Sequence, residues 1–153
     1  MSPLRLATRS LVTGTLTSVA TSGVAAILSK LAGQSAAAPI NASAQVVHGE
    51  KAARRERPSL KYTVVGFGLN YAASLLWGAV YERARHGKPA TLGASLARGT
   101  VTAAGAYVID QYVVPRLTGS GMGKRLSDRQ LMATYVAMAL SLPIRELIDR
   151  RFK

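Results

Sequence analysis

Between Lys61 and Glu82 the chain reads YTVVGFGLNYAASLLWGAVY, 20 residues without a charge. A helix rises ~1.5 Å per residue, so this stretch reaches ~30 Å, the thickness of the hydrocarbon layer of a bilayer. Tyr62, Trp77 and Tyr81 sit toward its ends, where amphipathic rings favour the water interface. A second gap of 20 residues lies between Arg9 and Lys30, rich in Ser and Thr, whose hydroxyls bond back to the preceding turn. A third gap of 15 residues lies between Arg129 and Arg145, with Pro143 placed to kink or end a helix. The stretch 92–115 carries only Arg98 and Asp110. These gaps give candidate spans at 10–31, 62–82, 92–115 and 130–148. Period-two alternation is not sustained, and Ala, Leu and Gly dominate over β-branched residues outside a few patches. The expected fold is all-α, a single membrane domain over 1–153 built as an integral bundle of four transmembrane helices. A soluble bundle would show a charged face on each helix, and these segments show none.

Composition removes whole classes of chemistry. There is no cysteine, which excludes disulfides, thiolate metal sites and a cysteine nucleophile. The two histidines, His48 and His86, do not make a metal centre. No nucleophile–base set or phosphate loop is present. The glycine-rich GSGMGK at 119–124 lacks the spacing of a phosphate loop and is followed by Arg125. The expectation is therefore no enzyme, no catalytic residue, no cofactor and no metal. A formal net charge of +13 raises a basic soluble nucleic-acid-binding protein as a rival. It ranks last, because the aromatic residues lie in the apolar blocks and not among the basic ones. The first 49 residues contain no acidic residue, as in a mitochondrial transit peptide, but the uncharged stretch there is too long and apolar for one.

Small residues recur at every fourth position within the spans, and such residues share one helix face. Gly14, Ser18, Ser22 and Ala26 form one row, Gly66, Asn70, Ser74 and Gly78 a second, and Ala133, Ala137 and Ser141 a third. In lipid no hydrophobic drive pairs helices, so close backbone approach takes over. Gly14, Ser18, Ser22, Gly66, Ser74 and Gly78 are accordingly the expected packing residues.

The loop 33–61 begins small and polar and ends in EKAARRERPSLK, a basic run suited to anionic head groups. Pro39 followed by Asn41 signals a short interfacial helix within it, and Ser127 is placed to cap the last long helix. At the C-terminus, Arg145 with Asp149 and Glu146 with Arg150 stand four apart and are expected to pair weakly. Four spans put both termini on one side, with the cytoplasm as the expected side. The basic residues do not decide it, being nine in the tails and second connection against ten in the first and third.

Polar residues in or beside the spans are the candidate functional groups: Asp110, Asn70, Arg98, Glu82 and, in the first loop, His48. A charge near mid-helix costs on the order of 3 kcal/mol. Asp110 is thus either a proton- or ion-linked site or a packing group paired with a basic residue of another helix end. Arg98 is placed to snorkel. His48 is either pH-sensitive or simply solvated.

The stretches APINASAQVVHGE, RRERPSLKYTVVGFGLNYAASLLWGAVYERA and AYVIDQYVVPRLTGSGMGKRLS resemble a family of small uncharacterised bacterial inner-membrane proteins with four predicted spans, and more loosely the YagU type. The resemblance implies a multi-pass protein of the bacterial inner membrane, without an established reaction or ligand. The expected role is a structural or stress-related membrane component in a bilayer with anionic head groups, as a possible homo-oligomer and without nucleic acid. The alternative is a small oligomeric transporter or channel subunit with Asp110 as its proton- or ion-linked site.

Overall fold

The computed structural model describes residues 2–118 and 126–151. The GSGMGK stretch at 119–124 lies outside them. Among the described residues every regular element is helical. Helix α1 spans Pro3–Leu31, and three short helices follow, α2 (Ala38–Ser43), α3 (Gln45–His48) and α4 (Glu50–Ala53). A π-helical turn at Leu60–Val64 opens α5, Val65–Arg85. Helix α6, Leu92–Val108, runs through a second π turn at Ile109–Val113 into α7, Val114–Thr118, and the chain ends in α8 (Asp128–Ser141) and α9 (Ile144–Arg151).

Local chemistry explains the boundaries. Ser2, Ser59, Thr91 and Ser127 each accept a hydrogen bond from a backbone N–H three residues on, satisfying an orphan donor of the first turn. At Ser127 the Gln130 side chain returns the bond to the cap N–H at 2.9 Å, completing a capping box. Gly33 (φ 78°) and Gly87 (φ 71°) take left-handed turns just after α1 and α5. Pro115 has no N–H for the carbonyl four residues back, and the backbone widens to π over the preceding turn.

Among the described residues three helices are long and apolar enough to cross a membrane: Pro3–Leu31, Leu60–Arg85 and Asp128–Arg151. The 92–118 rod is continuous in direction of hydrogen bonding but divided by its π turn. Helix α1 packs on α5 and α8, and α6 packs on α8 and α5. The four rods close a ring in which α1 and α6, and likewise α5 and α8, stand diagonally.

Backbones meet where side chains vanish. A Cβ on Gly14 would lie 2.7 Å from Leu75 Cα, and one on Gly78 would lie 2.9 Å from the Gly14 nitrogen. Pro143 interrupts the last rod between α8 and α9 and leaves the Ala139 carbonyl without its usual partner. Gly99 backs onto that carbonyl, where a Cβ would come within 2.3 Å of the oxygen. Gly99→Ala is therefore expected to destabilise the protein by about 1–3 kcal/mol. Gly93→Ala, which meets nothing within 4 Å, is expected to be neutral or stabilising. Thermal melting of the two purified variants checks this, and equal melting points would contradict the contact.

The first loop folds over one end of the ring. Helix α2 packs on α1 and α5, and its Ile40 carbonyl oxygen sits 1.9 Å from where a Gly66 Cβ would be. Asn41, fully buried, donates to the carbonyls of Arg55 (2.8 Å) and Arg57 (3.1 Å) and accepts from Thr63 Oγ1 (2.6 Å). These three bonds turn a loop of small residues into a fixed cap, with Arg54, Arg55 and Arg57 exposed.

The distribution of polarity is the reverse of that in a water-soluble bundle. Ser10, Thr13, Thr17, Ser18, Thr21, Ser74, Ser95, Thr102 and Ser141 are buried, while Val19, Ile27, Leu76, Val101, Val136 and Leu140 are exposed. The buried hydrophobic residues are mostly alanine. Interior hydroxyls are satisfied locally, as in Ser10 to the Leu6 carbonyl (2.7 Å) and Thr21 to the Thr17 carbonyl (2.9 Å). Others bridge helices: Ser141 donates to Thr17 Oγ1, and Asn70 donates to Ser22 (2.9 Å) and Ser18 (3.3 Å).

Candidate functional site

The charges that end the apolar stretches converge at the end of the ring opposite the first loop. Glu82 is fully buried at the last turns of α5. Its Oε1 accepts from Thr13 Oγ1 of α1 (2.7 Å) and from Arg145 of α9 at Nε (3.1 Å) and Nη2 (2.9 Å). Its Oε2 accepts from Arg145 Nη2 and from Arg85 Nε, both at 2.9 Å. Glu146, 2% exposed, is held in the same way. Its Oε1 accepts from Arg98 of α6 at 3.0 Å and lies 3.5 Å from Arg85 Nη1, and its Oε2 accepts from the Tyr81 hydroxyl. Arg145 also pairs with Asp149.

The set is charge-balanced: Glu82, Glu146 and Asp149 against Arg85, Arg98 and Arg145. Its bonds run across the diagonal of the ring, from Arg145 to Glu82 and from Arg85 to Glu146, and they reach all four rods. Removing either of the two buried carboxylates, Glu82 or Glu146, strands a buried opposite charge, whereas the intact set roughly balances its own desolvation. With both carboxylates saturated by donors, the arrangement is a clamp and does not present a free base or nucleophile. A niche of about 150 Å³ beside it is lined by Arg9, Arg85, Glu146, Asp149 and Arg150. Among the described residues no group of three or more His, Asp or Glu is placed to hold a metal ion.

The expected polar residues separate into two places. Glu82 and Arg98 belong to the clamp, where Arg98 also donates to the Pro89 carbonyl (2.8 Å). Asp110 lies on the second π turn, toward the other end of the ring, and its Oδ2 accepts from Tyr135 of α8 at 3.0 Å. No Lys or Arg among the described residues forms an ion pair with it. Asn70 joins α5 to α1 through Ser18 and Ser22, so it bonds to two of the small residues in the expected packing row. Gly66 faces α2 of the first loop, while Gly14, Ser74 and Gly78 meet at the α1–α5 crossing. His48 stands edge-on to Tyr62, ring centroids 5.4 Å apart, with Nε2 buried and lacking a hydrogen bond.

One expected pairing is replaced. The four-residue spacing puts Glu146 on the surface with Arg150, but the side chain turns inward to Arg98 and Tyr81 because α9 lays that face against the ring. Residue spacing along α9 does not single out Arg145, Glu146, Arg85 or Thr13 as members of one cluster. No protein-family model, curated protein or solved structure matches this chain.

Proposed function

We propose that the chain is a four-span integral membrane protein of the bacterial inner membrane, with α1, α5, the 92–118 rod and α8–α9 as its spans, acting as a structural membrane component and not as an enzyme. The observation that carries this reading is the inverted polarity: hydroxyls, amides and ion pairs inside, large aliphatic side chains outside. A surface of that kind is stable in hydrocarbon and prone to aggregate in water. The fourth span is supported by the charge pattern of its rod. Arg98 turns into the clamp at one end, Arg116 stands near the other, and ~27 Å separates them along the axis. Lys30, Lys61 and Arg129 stand at the corresponding ends of the other three rods.

The clamp supports a structural role, since it ties the four rods together with charges that cancel. The hydroxyl-lined interior favours a second reading, a small transporter or channel subunit. Against it, among the described residues the hydrogen bond to Asp110 comes from Tyr135 of α8, and none comes from the buried hydroxyls of α1 and α5. Alkaline carbonate washing of cell membranes tests the main reading. The protein is expected to stay with the pelleted bilayer, and release to the supernatant would overturn it.

A further inference from the structure

We propose that the groove between α6 and α8 is a binding site for an aminophospholipid of the surrounding bilayer, with an acyl chain along the groove and the ammonium head at Asp110. This rests on the membrane reading above. The groove has a volume of about 370 Å³ and is lined by Ala103, Ala104, Tyr107, Met132, Val136 and Leu140 among others. That is the size and character of a small-molecule site, with apolar walls and the hydroxyls of Thr100, Tyr107 and Tyr135 among its lining residues. Val108, Met132, Val136 and Leu140 are exposed, so it opens on the outer, lipid-facing side.

The two ends of the groove differ. Near the clamp the helices touch where Gly99 meets Ala139, and Thr100 is the polar residue of the lining there, without a charge. At the other end the Tyr107 and Tyr135 rings meet edge-to-face at 5.2 Å, Tyr112 extends the cluster, and Tyr135 donates to Asp110. Among the described residues Asp110 Oδ1 accepts no hydrogen bond, and no basic side chain neutralises the carboxylate. A carboxyl group at this depth without a basic partner is neutralised by a proton or by a cation. Asp110 precedes Arg116 by six residues, ~9 Å along the helix, which places it just below head-group level. The cation that a bilayer supplies there is a lipid ammonium, and tyrosine faces add to its attraction. An anionic lipid would be repelled from the same carboxylate.

The test uses the full-length protein in nanodiscs of equal phosphatidylethanolamine and phosphatidylglycerol, followed by release into detergent and native mass spectrometry of retained lipid. The wild type is expected to retain phosphatidylethanolamine about tenfold over phosphatidylglycerol, the scale of one charge-assisted contact. Asp110→Asn is expected to remove the preference, and Ala104→Phe, which fills the groove, to remove retention of both. Equal retention of the two lipids by the wild type, or an unchanged preference in Asp110→Asn, would overturn the proposal. Each variant is also washed with carbonate. Protein that stays in the bilayer without a lipid preference sinks this site alone, whereas protein that leaves the bilayer sinks the membrane reading.

Discussion

Glu82→Gln is expected to lower the stability of the protein by about 3–5 kcal/mol, the cost of breaking a buried ion pair on one side. The substitution keeps the volume and one acceptor oxygen, so Thr13 and one arginine contact can be retained. What it removes is the negative charge facing Arg145 and Arg85, which are themselves largely buried at 11% and 14% side-chain exposure. The melting temperature in detergent should fall by on the order of 10 °C for a chain of this size. Asp149→Asn is the control. Asp149 is 46% exposed and pairs with Arg145 at the rim of the clamp, so its loss should shift melting little. If the two substitutions have equal effects, the clamp does not hold the rods together.

Gly66→Ala is the second change expected to act strongly. A methyl group there would fall 1.9 Å from the Ile40 carbonyl oxygen, closer than any contact that a backbone oxygen tolerates. Helix α2 must then move off α5, and the Asn41 bonds to Arg55 and Arg57 move with it. The expected result is a loss of about 1–3 kcal/mol. It should come with faster tryptic cleavage after Arg54 and Arg55, because cleavage needs local unfolding of the loop. Gly68→Ala, two residues from the contact and with nothing within 4 Å of its Cβ, should leave cleavage unchanged. Equal cleavage rates for the two variants would mean that α2 is not anchored at Gly66.

The charge-free stretches make the helical rods readable from the residues. A long uncharged run without period-two alternation satisfies its backbone groups in hydrocarbon only as a helix. The limits expected at 62–82 and 130–148 fall inside Leu60–Arg85 and Asp128–Arg151. The helices run past the apolar windows because capping residues, Ser59 and Ser127, set their starts, and the clamp holds their charged last turns in place. The cap formed by α2 to α4 is legible only as one short helix at Pro39. What fixes it, Asn41, bonds to residues 14 to 22 positions later, and no local pattern announces such a bond. The clamp is hidden for the same reason. Glu82 and Arg98 stand out singly as charges near apolar stretches, but their partners Arg145 and Glu146 lie in a charged tail that reads as solvated. Only the closing of the ring brings the two ends of the chain together.

Insertion of all four rods in a bilayer is tested most directly by the solvent that meets their aliphatic exterior. The chain has no cysteine, so single cysteines can be placed at Val19, Leu76, Val101 and Val136, all exposed and one on each rod, and spin-labelled in lipid vesicles. Relaxation by oxygen and by a water-soluble nickel chelate then reports the solvent at each site. A bundle of four spans gives strong oxygen and weak nickel contact at all four positions, with the reverse at a label on Arg55 of the first loop. Ready access of the nickel chelate to Val101 would remove 92–118 as a span, and access at all four positions would rule out a membrane bundle.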